Sequence, residues 1–354
     1  MLEVTDFIEI DFIEAGDRSS GDAIAIRHQC NGIDYVHVVD GGYAADGQKL
    51  VDHIREHYHP QYYINHLVLT HSDLDHASGL ETVLRNMRVA NLWMNRPWRH
   101  VDALMGLFER YQDRERLTAR LKRDFEKVAT LERLATAQGT QIMDVFQGAR
   151  IGAFTVLSPS PLTYLTLVAQ SEKTPATASV LDALQALIVE TVSPADWGEE
   201  NLKGDTDGTS PDNETSVVQF ADVCGTKALL TGDAGVRSLT EAYQAASQMG
   251  IVTSPLNWFQ VPHHGSRRNL SPAVLDAWLG PRLPGRLASS TFDAIVSANA
   301  SDPEYPKNAV VRALIHRGRR VFQPKGKLHM RSNGAPDRGW SNAQPLEYPS
   351  TQEN

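Results

Sequence analysis

One six-residue segment constrains this chain more than any other. His71-Ser72-Asp73-Leu74-Asp75-His76 places two imidazoles and two carboxylates within a single turn. It follows an apolar stretch, His66 to Thr70, that reads as a short strand, and Ala77 onward reads as a helix. A turn between strand and helix lets side chains two apart point to different sides, so one loop can feed two neighbouring cation positions. Imidazole with carboxylate is a donor set for zinc, manganese or iron and needs no soft sulfur. A hydrated acidic turn capping the helix would account for the aspartates but not for the two flanking histidines.

Other chemistry-bearing residues stand where strands stop. The apolar run Tyr35 to Val39 ends at Asp40-Gly41-Gly42, and Ala228 to Leu230 runs into Thr231-Gly232-Asp233. Val261-Pro262 leads into His263-His264-Gly265-Ser266. Carboxylates and imidazoles repeated at strand ends predict that one rim of a sheet gathers them. Phe7 to Phe12 and Asp22 to Arg27 alternate as strands, while Gln48 to His57 has helical spacing. Strand, helix and strand in this order predict an α/β sandwich of sheet and helices.

The remaining pattern fills out that expectation. Phe154 to Leu157 reads as a strand stopped at Ser158-Pro159, and Ser216 to Phe220 pairs with Ala228 to Leu230 around Gly225. Strands at Ala294 to Ser297 and Arg320 to Phe322 flank a helix over Asn308 to His316. Residues 101–135 carry a helical stripe (Leu104, Leu107, Phe108, Tyr111, Leu117, Leu121, Phe125, Val128, Leu131), which predicts a helical hairpin on the core. A substrate lid or a contact surface for a partner or a second copy is the other reading of that hairpin. Ser179 to Glu190 also reads as a helix. Asn201 to Asn213 reads as a mobile polar loop, and its Asp-x-Asp-Gly lacks the glutamate of a calcium loop. The expected organisation is one large domain over 1–330 and a peripheral polar tail over 331–354.

Composition excludes several classes. At 354 residues the chain can bury a core without disulfide or metal staples. No run approaches the ~20 apolar residues of a membrane span, so no membrane partner is expected. Met1 to Asp6 lacks the basic and apolar regions of a signal peptide. Cys30 and Cys224 are too few for a disulfide framework and are expected as buried free thiols in a reducing cytoplasm. A net charge of −9 argues against bulk adhesion to nucleic acid, though not against a local basic patch.

These residues resemble the metallo-β-lactamase superfamily, whose fold is an αββα sandwich with metals at one edge. The usual His-x-His-x-Asp-His motif reads here as His71-x-Asp73-x-Asp75-His76, with aspartate for the second histidine. That variant, with Thr231-Gly232-Asp233 and His263-His264-Gly265-Ser266, resembles the ComEC branch, the hydrolase domain of bacterial DNA-uptake proteins. Gly21-Asp22-Ala23 and Asn213-Glu214-Thr215-Ser216-Val217-Val218 resemble further segments of that branch. The resemblance implies two divalent ions, zinc or manganese. His71 and Asp73 would hold one, Asp75, His76 and His263 the other, and Asp233 would bridge. Asp40 would orient a ligand, Asp75 would share in catalysis, and His264 would be left for substrate or proton transfer. The chain departs from the family pattern at Ser158-Pro159, where many members carry a histidine, and at Tyr305-Pro306, where relatives often have His-Pro. His100 is a candidate substitute ligand, and Asn213 a further candidate near the site.

Two adjacent divalent ions can ionise a water near pH ~7 and polarise the attacked group. Arg267 and Arg268 follow the histidine pair, and guanidinium suits phosphate through paired charge-assisted bonds. With Arg96 and Arg99 they would form a positive rim, and Ser266 would add a hydroxyl. The expected activity is a metal-dependent phosphodiesterase or nuclease. A hydrolase of carbonyl substrates (lactone, thioester or β-lactam) is the alternative, and a non-catalytic metal-holding module a third.

Overall fold

The computed structural model describes residues 6–58, 63–108, 113–171, 173 and 191–354. The helix expected over 179–190, and Tyr111 of the helical stripe, lie outside them.

The first half of the chain builds one sheet and its helices. Strands β1 (Ile8–Ile13), β2 (Ala23–Cys30) and β3 (Ile33–Gly41) form an antiparallel meander. Helix α1 (Asp46–His57) then crosses to β4 (Tyr63–Val68), and α2 (Leu74–Asn86) crosses to β5 (Arg88–Trp93). Helices α3 (Val101–Met105), α4 (Arg114–Asp124) and α5 (Glu126–Gln138) precede the short edge strand β6 (Gln141–Met143). From β3 to β6 the strands are parallel, as helix crossovers require.

The second half repeats the scheme. Strands β7 (Arg150–Ile151) and β8 (Phe154–Ser158) lead to α6 (Pro161–Gln170), then β9 (Val192–Pro194), α7 (Pro211–Glu214), β10 (Val218–Val223) and β11 (Thr226–Leu230). Helix α8 (Val236–Gln248) crosses to β12 (Trp258–Val261), and α9 (Pro272–Leu279) to β13 (Asp293–Val296). Helix α10 (Asn308–His316) reaches β14 (Arg320–Phe322), after which β15 (Lys327–Arg331) returns to the edge of the first sheet. The sheet orders are β15-β1-β2-β3-β4-β5-β6 and β14-β13-β12-β11-β10-β8-β7.

Side-chain alternation explains the layering. On β2, Ile24 and Ile26 face the second sheet with Phe154, Val156 and Leu230, while Ala23 and Ala25 face α1 and α2. Leu50, Val51 and Ile54 of α1 and Leu80, Val83 and Leu84 of α2 cover that outer face. Leu239 and Ala242 of α8, Trp278 of α9 and Val310 and Leu314 of α10 cover the other sheet. Three apolar cores thus separate four layers, and this is the expected αββα sandwich. The hairpin α4–α5 packs through Leu117, Leu121, Val128 and Leu131 into the α1–α2 core, as its stripe requires.

Three expectations give way. The 331–354 segment is not peripheral: β16 (Thr351–Glu353) pairs with β9, and the buried Glu353 carboxylate accepts from the Asn308 and Ala309 amides at 2.8 and 3.0 Å. Those amides are orphan donors at the start of α10, which is why an acidic residue far along the chain is drawn there. The loop before α7 is docked, with Lys203 and Gly204 amides donating to the carbonyls of Arg267 and Leu270 at 2.7 and 3.0 Å. Cys30 and Cys224 are free and exposed rather than buried, since each sits at a hairpin turn beside Asn31-Gly32 or Gly225. Among the described residues no helix is long and apolar enough to cross a membrane.

Candidate metal centre

The expected ligands meet at one rim, where β3, β4, β11 and β12 end. His71 lies three residues past β4, and Asp75 and His76 open α2. Asp73 stands at the N-cap of α2 in extended backbone, yet its side chain makes no capping hydrogen bond. It turns instead toward His71, 3.5 Å from Oδ2 to Nε2, and toward Lys173. The helix-cap account of this aspartate therefore fails at the atom that would have to cap.

Asp233 sits between two sets of groups. Its Oδ1 lies 3.3 Å from His76 Nε2, and its Oδ2 lies 3.9 Å from His71 Nε2 and 3.7 Å from His263 Nε2. Asp75 Oδ2 is 3.6 Å from His76 Nε2 and 3.3 Å from His264 Nε2. Asp75, His76, Asp233 and His264 form a compact group whose ligand atoms all lie within 4.8 Å of one another. The expectation set His263 with Asp75 and His76 and left His264 for substrate or proton transfer; here His264 groups with Asp75 and His76, and His263 Nε2 shares the Asp233 Oδ2 side with His71. Both histidines have positive φ, 49° and 56°, and the tight turn they form, rather than their order, decides which ring points where.

Each imidazole is aimed by a partner on its other nitrogen. Asp40, itself at φ 57°, accepts from the Thr70 amide at 2.8 Å, from Thr70 Oγ1 at 2.6 Å and from His76 Nδ1 at 2.7 Å. The Ser297 carbonyl accepts from His264 Nδ1 at 2.9 Å. Asn269 Oδ1 and Asn213 Nδ2 lie 3.0 and 3.1 Å from His263 Nδ1. Such partners on Nδ1 leave Nε2 to face the cluster, the usual arrangement behind a metal-binding histidine. Asp22, which sequence reasoning passed over, is buried 3.8 Å from both His76 Nδ1 and His264 Nδ1 and accepts from Gln260 at 2.7 Å. Its signals in the sequence were its place one residue before β2 and the likeness of Gly21-Asp22-Ala23 to the family branch, neither of which gave it a role.

The donor set fits divalent cations. His71 Nε2, His76 Nε2 and Asp233 Oδ1 are buried and have no hydrogen-bond partner among the described residues. Burial opposes charge on His76, but Asp233, Asp75 and Asp40 outweigh it and hold its pKa well above the ordinary histidine value. Burial likewise opposes charge on His264, and Asp233 with Asp75 raises it to about 9. Burial alone would raise Asp233, yet His263, His76 and His264 hold it well below the carboxylate range. These carboxylates demand positive charge, and cations would take the place of the ring protons.

Other expected residues lie elsewhere. Ser158 is buried and donates to Glu241 at 2.8 Å. His100 packs edge-on to Phe146 and Tyr164, outside the compact group. Ser266 is buried and accepts from the Arg268 amide. Arg267 is buried and donates to the carbonyls of Glu353 and Asn354 at 3.1 and 2.6 Å, so it anchors the C-terminal strand instead of facing the rim. Arg96 pairs with Glu132 and Asp144 at 3.1 and 3.4 Å. Arg99 and Arg268 remain exposed. Tyr305 stands beside both histidines, 5.8 and 6.1 Å between ring centres.

A family model for the metallo-beta-lactamase superfamily matches residues 17–134, the segment with Asp22, Asp40 and the His71–His76 loop. The match spans about a third of the chain, and it is to this superfamily that the segment is similar. Comparison with curated protein sequences gives no match. Solved structures similar to the chain include a diphosphatase of the PhnP family, at 11% identity and TM-score 0.38, covering 92% of this chain and 99% of that one. CmlA, a diiron β-hydroxylase from Streptomyces venezuelae, is similar at 13% identity and TM-score 0.38, over 93% and 54% of the two chains. AidC, a dizinc quorum-quenching lactonase, is similar at 10% identity and TM-score 0.31, over 64% and 67%.

Proposed function

We propose that this protein is a phosphodiesterase acting on a nucleotide or nucleic-acid phosphodiester with two divalent cations, zinc or manganese. The observation that carries the reading is Asp233, whose Oδ1 faces His76 while its Oδ2 faces His71 and His263. Two cations held on either side of Asp233 would offset the negative charge that an in-line displacement at phosphorus places on the attacking and leaving oxygens. Asp40, Ser297 and Asn269 engage Nδ1 of His76, His264 and His263, so that the Nε2 atoms would be left to hold the cations. Asp75 opens α2 and shares the pocket with His264, and Arg268 offers an exposed guanidinium just past the histidine turn.

A carbonyl substrate is the second reading. It is favoured by the engagement of Arg96 and Arg267 elsewhere, which halves the positive rim expected from sequence. Turnover of bis-p-nitrophenyl phosphate, a lactone, a thioester and a chromogenic cephalosporin, measured with zinc and with manganese, separates the two. Hydrolysis of the phosphodiester alone supports the proposal, and hydrolysis confined to a carbonyl substrate replaces it.

A further inference from the structure

The two halves of the centre are unequal. Asp75, His76, Asp233 and His264 form the compact group, whereas among the described residues no group as compact takes in His71, Asp73 or His263. The carboxylate of the looser half also has a cation beside it. Lys173 Nζ lies 2.6 Å from Asp73 Oδ1 and 2.7 Å from Ser72 Oγ, with Asp212 Oδ1 at 3.8 Å and the Phe125 ring at 5.8 Å. Ser158, the last residue of β8, donates to Glu241 at 2.8 Å.

We propose that Lys173 is a positioning residue that acts through Asp73 and makes the centre asymmetric. One cation is held tightly by Asp75, His76, Asp233 and His264. The second, beside His71 and Asp73, is held weakly and exchanges. An ammonium is a fixed positive charge next to the place of a dication, and both repel across a site where water screens little. Lys173 also occupies one oxygen of Asp73 and leaves the other to serve. The inference rests on the metal-centre reading and extends it to stoichiometry and affinity.

Titration of the metal-free full chain with zinc and with manganese, followed by calorimetry and elemental analysis, tests it. The wild type binds in two steps, the second at least tenfold weaker. Lys173→Met tightens the second step about tenfold and leaves the first unchanged, while Lys173→Arg keeps the two-step profile. Circular dichroism reports that each variant is folded. A second step that is unchanged or weaker in Lys173→Met overturns the proposal, as does equal affinity in the wild type. A wild type that binds no cation overturns the metal-centre reading along with it. Two-step binding without turnover of any substrate defeats the functional proposal alone.

Discussion

Asp233 is the residue within reach of both halves of the candidate centre. It is buried, it lies within reach of His71, His76 and His263, and its amide donates to Ser216 Oγ at 3.1 Å. Asp233→Asn keeps the shape and removes one charge and one donor oxygen. Hydrolysis falls by at least about a hundredfold, ~3 kcal/mol of transition-state stabilisation, and bound metal drops, while the circular dichroism spectrum is unchanged. Full activity in this variant would remove the bridging role. The adjacent arginines divide two jobs that sequence alone had merged. Arg268→Ala raises KM for the phosphodiester several-fold and spares neutral esters. Arg267→Ala leaves KM alone and lowers stability by about 1.5–3 kcal/mol through lost charge-assisted bonds, read as a fall in the urea midpoint.

Among the elements, the seating of α2 decides whether the ligand loop reaches the rim. Gly79 lies where α2 touches β3 and α1, and a Cβ there would collide with the Gly41 carbonyl oxygen and approach the Gly47 amide. The Gly79 amide also donates to the Gly42 carbonyl at 3.0 Å. Backbone contact of this kind fixes Asp75 and His76 relative to Asp40 at the end of β3. Gly79→Ala pushes α2 outward, costs about 1–3 kcal/mol of stability by overpacking, and weakens metal binding although no ligand changes. Thermal unfolding with a metal titration reads both effects. Unaltered metal affinity would show that the loop holds its place without this contact.

Across the whole molecule, the space between the sheets is not uniformly apolar. His28, His37 and His66 point into it from β2, β3 and β4, and His37 packs edge-on to Phe154. Neither ring nitrogen of His37 has a hydrogen-bond partner among the described residues. Burial lowers all three: His28 and His66 to about 4, with His37 also well below the ordinary value. Unfolded, these rings take up protons near pH ~6.5. Between about pH 6.5 and 4 the unfolded chain therefore binds more protons than the folded one, and stability falls as pH falls. The urea midpoint drops from pH 7 to pH 5, and His37→Leu, which cannot be protonated, loses part of that slope. An identical slope in the variant would exclude His37 from the effect.

Much of this was legible along the chain because the signals are local. Six residues carry the His71–His76 loop, the apolar runs mark most strands that end at the rim, and Asn308–His316 and Arg320–Phe322 have the bounds their patterns predict. Asp40 and Asp233 stand out because each closes an apolar run. Residues whose roles depend on distant partners were not legible. Asp22 gains its place from Gln260 and two imidazoles, Arg267 loses the rim to carbonyls at the far end of the chain, and Glu353 caps a helix more than forty residues before it. The order of residues thus determined the candidate ligand types and the layered fold, since both follow from side-chain chemistry and periodicity. The closing of the sandwich decided which of His263 and His264 faces Asp75, and that Lys173 lies against Asp73. Backbone turns and long-range packing set those directions, and no spacing along the chain encodes them.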